Sequence, residues 1–284
     1  MRAFVAILLV AVLCGLVCAG PSQAAPRAGK KIVFIASHGH HPNEKGIALM
    51  AKCLESSPNV PALVCETYDD WPADASTLND ADAVVIYSEG TNKKGMPHPI
   101  LQGDRLALLD TLAKKGVGIV CIHYTLYATR EVEAPYLLKW IGAYYDFQGY
   151  GSAHFVSRKP LVNTPASPDH PVSRGWGEFT IAENEYYHNL RFVEDGKGVT
   201  LLVTAQIASK TSKEVKPYVI GWAFERPGGG RGIGFGGGHF HDSWAVPGYR
   251  RFLLNAVVWA ARIDVPKDGV TWAVSDEELG LKKK

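Results

Sequence analysis

Short apolar runs that alternate with helix-like segments fill the first 125 residues and restrict the fold more than any other feature of the chain. The predicted elements are strands over residues 31–36, 62–67, 82–87 and 117–122 and helices over 44–54 and 101–114. A continuous apolar run bounded by turn residues is typical of a strand buried on both faces of a parallel sheet. The alternation of such strands with helices therefore predicts a doubly wound α/β domain. Asn43 is predicted to cap the first helix.

The second half of the chain changes character. The predicted elements there are a short helix over 137–141, strands over 153–157, 179–182, 200–204, 218–224 and 232–235, and a last helix over 249–262. The expected architecture is a mostly parallel sheet with helices on both faces and added strands in the second half. Residues 25–263 are expected to form this domain, and residues 264–284 to form a loosely packed C-terminal tail.

Histidines follow several of the predicted strands. His38 comes after the first strand, His123 after the fourth, and His239 and His241 after a glycine-rich run. Ligands of such a sheet bind beyond the carboxyl ends of its strands, so His38 and His123 are expected in that crevice. Because histidine titrates near neutral pH and is a common metal ligand, the pattern indicates acid/base or metal chemistry. His38, His239 and His241 are the candidate ligands of a divalent ion such as zinc or manganese.

Other histidines have simpler interpretations. His40 and His41 fit a solvated loop, and His98 and His170, each followed by proline, fit turns. For His123 a hydrogen bond to a nearby carbonyl is an alternative to a catalytic role.

An acidic and aromatic cluster over residues 183–188 supplies further candidates. A carboxylate beside tyrosines suits sugar binding or general acid/base work, so Glu185 is expected to act with His123. Tyr187, Trp222 and Trp244 are the candidates to stack on a sugar or to form hydrogen bonds with it. The alternative is an edge strand with alternating exposed acids and packed rings.

The glycine-rich run over residues 228–238 has the composition of a phosphate-binding loop but not its context. A dinucleotide fingerprint lies between the first strand and its helix, whereas this run is itself strand-like, and no nucleotide is expected. Gly230, Gly232, Gly234 and Gly236 alternate and therefore share one strand face. Such a bare face lets a bulky neighbour or a ligand approach the backbone.

Residues 1–24 have the pattern of a secretory signal peptide. Arg2 precedes an apolar run over 3–17, and Ser22-Gln23-Ala24 offers a cleavage site. The run is shorter than the roughly 20 residues of a membrane span, so we expect export to the periplasm or the exterior without a stable membrane anchor. An uncleaved anchor is the alternative.

Charge and cysteine content restrict the partners. The formal net charge is only +2 and no long basic stripe occurs, so nucleic acid is not expected as a partner. Cys53, Cys65 and Cys121 remain after removal of the signal peptide. A disulfide between Cys53 and Cys65 is left open. Cys121 lies in an apolar run and is expected to be a buried, inert thiol.

Taken together, these motifs resemble the ThuA-like (trehalose utilisation) family. The matching segments are 118–123, 170–175, 183–187, 221–222, 230–232, 238–239 and 249–261. The resemblance implies the flavodoxin-like α/β fold of the class I glutamine amidotransferase-like superfamily and a role in carbohydrate utilisation.

The resemblance also separates this chain from true amidotransferases. Those enzymes carry cysteine at the sharp turn after a strand, whereas His123 occupies that turn here and Cys121 falls two residues earlier. No glutaminase activity is therefore expected. Of the acidic pair that the family usually carries, Asn184 replaces the first member and Glu185 keeps the second.

The resulting expectation is an exported enzyme that acts on a glycoside or a 3-keto-sugar derivative by acid/base or metal-assisted elimination or hydrolysis. The alternative is a non-catalytic carbohydrate-binding protein that uses the same histidine-rich pocket. The expected partner is a small-molecule carbohydrate, and formation of a homo-oligomer is left open.

Overall fold

A computed structural model describes residues 29–91, 95–208 and 214–281. The predicted signal peptide over residues 1–24 lies outside these ranges. Within them, no helix combines the length and the apolar character needed to cross a membrane.

The described chain contains thirteen strands and four α-helices. The strands are β1 (Lys30–Ala36), β2 (Leu63–Asp69), β3 (Ala83–Tyr87), β4 (Gly118–Ile122), β5 (Ala143–Tyr144), β6 (Ala153–Ser157), β7 (Leu161–Pro165), β8 (Phe179–Ile181), β9 (Asn184–His188), β10 (Arg191–Phe192), β11 (Val199–Ala208), β12 (Val215–Glu225) and β13 (Arg231–Phe235). The helices are α1 (Asn43–Glu55), α2 (Asp104–Lys114), α3 (Ala134–Ile141) and α4 (Pro247–Ala260).

A nine-stranded sheet in the order β2-β1-β3-β4-β13-β12-β11-β7-β8 forms the centre of the molecule. Strands β2, β1, β3, β4 and β13 are parallel. Their order is the 2-1-3-4-5 order of flavodoxin-like folds. Strands β12, β11, β7 and β8 follow β13 and extend the sheet as antiparallel strands. The predicted doubly wound, mostly parallel sheet with added strands is confirmed.

Both faces of the sheet are covered, and β1 shows how. Ile32 and Phe34 join the hydrophobic core that contains α1 and α4, whereas Val33 and Ile35 join the core that contains α2 and α3. Because successive strand side chains point to opposite faces, a strand covered on both sides must be apolar at every position. Ligands approach such a sheet beyond the carboxyl ends of its strands.

Asn43 does not cap the first helix. Pro42 is the residue that precedes α1, and Asn43 is the first residue of the helix, fully buried. Its side-chain amide donates to the carbonyl oxygen of Ser37 at 3.4 Å, which ties the helix start to the end of β1.

Residues 264–281 pack against the protein, contrary to the expectation of a loose tail. Arg250 of α4 pairs with Asp276 at 2.8 Å and lies over the Trp272 ring. Several apolar side chains of this segment pack into the hydrophobic core that also contains α1 and α4. The buried members are Val265, Val270, Leu279 and Leu281.

Cys53, Cys65 and Cys121 are free thiols, so the structure contains no Cys53–Cys65 disulfide. Cys121 is fully buried in β4, as predicted. Burial raises the pKa of Cys53 to about 11 and that of Cys65 to about 12, which keeps both as unreactive thiols at neutral pH.

Candidate functional site

Four side chains converge at the carboxyl ends of the parallel strands. His41 follows β1, His123 follows β4, and His239 follows β13, while Glu185 lies on β9. One nitrogen or carboxylate oxygen of each lies within 4.8 Å of those of the other three. We call this group the histidine–glutamate centre.

Short distances link the members of the centre. His239 Nδ1 lies 2.7 Å from Glu185 Oε2 and 3.1 Å from His41 Nε2. His123 Nε2 lies 4.0 Å from the same Glu185 oxygen. The His123 side chain is 0% exposed and the Glu185 side chain 12%, whereas that of His239 is 29% exposed. Solvent therefore reaches the centre at His239.

His123 occupies a strained turn. Its backbone φ is 55°, in the left-handed region that costs a residue other than glycine about 1–3 kcal/mol. The turn stacks the imidazole on the Tyr187 ring, with centroids 4.4 Å apart. His123 Nδ1 lies 3.4 Å from the carbonyl oxygen of Gly236, and Nε2 lies 3.3 Å from the Tyr187 hydroxyl.

The environment keeps His123 neutral. Burial, followed by the positive charges that His41 and His239 can carry, holds the pKa of His123 well below its usual range. Because Nδ1 donates its proton to the Gly236 carbonyl, Nε2 carries the lone pair and faces the centre. A neutral imidazole aimed in this way can accept a proton or bind a metal ion.

Glu89, which follows β3, supports the centre from behind. Its Oε1 accepts hydrogen bonds from His41 Nδ1 at 2.6 Å and from the His41 backbone N–H at 3.0 Å. Burial alone would raise the pKa of Glu89, but the bonds from His41 outweigh burial and lower that pKa. Glu89 was missed by sequence reasoning, although a carboxylate directly after a predicted parallel strand is a usable indication.

Two of the three predicted metal ligands lie outside the centre. The His38 side chain is 78% exposed and pairs with Asp69 at 3.0 Å. His241 lies half-buried in the 3₁₀ helix His241–Ala245, beside Lys45 and Lys52 of α1. Of the predicted three, His239 alone belongs to the centre.

His41 takes the position expected for His38. Residues 38–40 are exposed, and Gly39 packs directly against the Glu89 side chain. The loop thus passes over the Glu89 carboxylate before it turns inward at His41. The prediction that His41 is solvated is wrong for this reason.

Trp222 and Trp244 belong to the core and not to a sugar-binding surface. Both are fully buried. Trp222 Nε1 donates to the carbonyl oxygen of Ile141 at 2.6 Å, and its ring fills the space beside Gly234. Trp244 packs edge-on against Tyr249 at 5.2 Å. The predicted contact of these two indoles with substrate is wrong, because neither ring has an open face.

A wall of aromatic side chains borders the centre. Tyr187 contacts Tyr127 and Tyr145, whose own rings stack 3.8 Å apart. Burial raises the pKa of Tyr127 and of Tyr187 far above the usual tyrosine value, so both hydroxyls stay protonated. Half-exposed His154 of β6 completes the wall, with Nε2 4.0 Å from Glu185 Oε1. Tyr187 was predicted here, whereas Tyr127, Tyr145 and His154 were not.

The histidine–glutamate centre can hold a metal ion. Three imidazole nitrogens and one carboxylate oxygen form a donor set that suits divalent transition metals such as zinc. The hydrogen bonds also fit, since His123 is neutral and His41 donates a hydrogen bond from Nδ1 to Glu89, which leaves Nε2 for the ion.

Fold and centre together define a flavodoxin-like α/β protein with a cluster of imidazoles and a carboxylate at the ends of its parallel strands. The sequence profile of the ThuA family, described as trehalose utilisation, matches residues 31–260. The chain therefore belongs to the ThuA family. No curated protein matches it.

Two solved structures of ThuA-like proteins share the fold of this chain. A ThuA-like protein from Bacteroides uniformis has 16% identity and a TM-score of 0.57, over 85% of this chain and 95% of that chain. A ThuA-like protein from Parabacteroides merdae has 15% identity and a TM-score of 0.58, over 90% of this chain and all of that chain. A glutamine amidotransferase from Thermotoga maritima has 11% identity and a TM-score of 0.42, over 76% and 77% of the two chains.

Proposed function

We propose that this protein is an exported carbohydrate-utilising enzyme that acts on a glycoside or a 3-keto-sugar derivative by metal-assisted acid/base elimination or hydrolysis. The observation that carries the proposal is the convergence of His41, His123, Glu185 and His239 at the ligand-binding edge of the sheet. Membership of a family described as trehalose utilisation supports a sugar as the substrate.

The chemistry of a 3-keto glycoside matches such a centre. The proton on carbon 2 is adjacent to the carbonyl, and the glycosidic oxygen leaves from carbon 1. Elimination therefore needs a base for that proton, a proton for the leaving oxygen, and stabilisation of the charge that develops on the carbonyl oxygen. A divalent ion bound by the centre would supply the last of these.

The residues of this chain can supply the proton transfers. Glu185 directs Oε2 at His239 and His123, so its Oε1, on the His154 side, is the oxygen that can accept the proton from carbon 2. The carboxylic acid formed in this way can then pass the same proton to the leaving glycosidic oxygen. The hydroxyls of Tyr127 and Tyr187 remain protonated and can donate hydrogen bonds to the sugar. In a reaction without metal, His123 and Glu185 form the acid/base pair.

The first test is the metal content of the purified protein, by elemental mass spectrometry before and after chelation. The expected result is close to one divalent ion per chain, lost on chelation. His38→Ala is the matched control, because His38 is exposed and outside the centre, and it is expected to keep the ion. Absence of metal in the protein, with no binding of added zinc or manganese, contradicts the metal-assisted reaction.

The second test is turnover of a 3-keto disaccharide followed by mass spectrometry. His123→Ala is expected to abolish turnover with an unchanged circular dichroism spectrum, and full activity of this variant would remove His123 from the mechanism. Saturable sugar binding without any turnover in the wild-type protein would favour the non-catalytic carbohydrate-binding alternative.

Export is part of the proposal and is supported by the pattern of residues 1–24. The expected result is a mature N-terminus at Ala25 when the full chain is produced in a bacterium with a periplasm. N-terminal sequencing of the protein from that compartment tests this.

A further inference from the structure

We infer that Glu89 is a positioning residue of the metal centre, which fixes the imidazole of His41 so that Nε2 faces the bound ion. This inference rests on the metal-assisted function proposed above. It adds a residue that binds no ion itself and that is not among the candidate site residues of the sequence analysis.

The hydrogen bonds of His41 determine which nitrogen is available. An ionised carboxylate only accepts hydrogen bonds, so His41 Nδ1, 2.6 Å from Glu89 Oε1, must carry a proton. In a neutral ring the lone pair then lies on Nε2, the atom that faces His239 Nδ1 at 3.1 Å. A carboxylate that accepts from the far nitrogen of a metal-binding histidine fixes its tautomer and orientation and increases its basicity.

The Glu89 carboxylate also holds the backbone of the loop that carries His41. Glu89 Oε1 also accepts from the His41 backbone N–H at 3.0 Å, so ring and backbone are fixed by one oxygen. The Glu89 backbone N–H donates to Ser37 Oγ at 2.8 Å, which ties the end of β3 to the end of β1. The Glu89 side chain is only 10% exposed, so water competes little for its oxygens.

Gly39 gives a second, independent way to disturb the arrangement. A Cβ at Gly39 would lie 2.2 Å from Glu89 Cγ and 2.5 Å from Oε1. Alanine at this exposed loop position therefore displaces the carboxylate without removing a ligand or a polar group. Gly39→Ala is expected to weaken metal binding in the same direction as loss of Glu89.

The test is the affinity of the metal-free full chain for Zn²⁺, measured by competition with a chromogenic chelator. The variants are Glu89→Ala, Glu89→Gln and Gly39→Ala. Glu225→Gln is the control, because it removes one negative charge at the opposite end of the sheet, where Glu225 is the last residue of β12 and exposed. The thermal midpoint of each metal-free variant shows whether the fold is kept.

We expect Glu89→Ala to lower Zn²⁺ affinity about 10- to 100-fold, the usual effect of losing such a partner. Glu89→Gln, whose amide oxygen still accepts from Nδ1, is expected to recover part of the loss, and Glu225→Gln to bind like the wild type. A role in folding alone would lower the midpoint of the metal-free protein and would give no such recovery. The visible spectrum of bound Co²⁺ should also differ between wild type and Glu89→Ala.

The outcomes separate this inference from the function on which it rests. Tight Zn²⁺ binding by the wild type together with unchanged affinity and Co²⁺ spectrum in Glu89→Ala overturns the role of Glu89 and leaves the metal centre in place. No Zn²⁺ binding by the wild type overturns both.

Discussion

Acid should destabilise this protein through His98, a buried residue outside the histidine–glutamate centre. His98 is fully buried, and its Nδ1 accepts hydrogen bonds from the backbone N–H groups of Ile100 at 3.2 Å and Leu101 at 3.0 Å. Its Nε2 lies 3.3 Å from the carbonyl oxygen of Thr125, in the turn that follows His123. Protonation of Nδ1 would leave two buried N–H groups without an acceptor.

The size of the effect follows from the pKa difference. Burial lowers the pKa of His98 from 6.5 to about 4 in the folded protein. The unfolded chain therefore takes up a proton at a higher pH than the folded chain, so the stabilisation is complete above pH 6.5 and is lost as the pH falls towards 4. Between pH 7 and pH 5 the loss due to His98 is about 2 kcal/mol, at roughly 1.4 kcal/mol per pKa unit.

Urea denaturation of the wild type and of His98→Asn, at pH 7 and at pH 5 with chelator present, measures this effect. Asparagine keeps an acceptor oxygen near the position of Nδ1 but does not titrate. The pKa values of His123, His170 and His241 are also lowered, chiefly by burial, but these residues contribute equally in both proteins. The wild type should lose about 2 kcal/mol more than the variant on acidification. Equal losses, with equal denaturant slopes, would refute the reasoning.

Three further outcomes are expected. Chelation should lower the thermal midpoint by roughly 5–10 °C, because an ion present at 100 times its dissociation constant contributes about 2.7 kcal/mol, and an unchanged midpoint would contradict this. Tyr187→Phe removes the hydroxyl 3.3 Å from His123 Nε2 but keeps the stacked ring, so turnover should fall about 10-fold. The free energy of unfolding, measured by urea denaturation, should change by less than about 1 kcal/mol. Gly234→Ala places a Cβ 2.1 Å from the Trp222 ring and should cost about 1–3 kcal/mol in urea denaturation, and a neutral effect would show that the ring can move.

The parallel strands of the sheet could be predicted from the sequence because the information for them is local. The predicted strands over 31–36 and 117–122 each lie within one residue of the observed β1 and β4. A continuous apolar run is enough to predict that both faces of the strand are covered. His123 and His239 could likewise be placed at the strand ends from the order of elements alone.

The members of the site that sequence reasoning missed depend on contacts between distant segments. Glu89, 48 residues further along the chain, decides that His41 and not His38 turns inward. Trp222 has the ring expected of a sugar-binding residue, and the bare Gly234 on the neighbouring strand places it in the core instead. No local pattern distinguishes these alternatives, because each is decided by a partner on another strand.

The large sequence separation of His41 and His239 determines when the centre forms during folding. These two residues are 198 positions apart in the chain, yet their nitrogens lie 3.1 Å apart. Contacts between such distant residues form after more local ones, because closing the intervening loop costs entropy first. The centre therefore assembles only when the first and last parallel strands have both joined the sheet. An ion bound there would hold the ends of these two strands together in the folded protein. Any cleavage of the chain that frees one of these strands would release the ion.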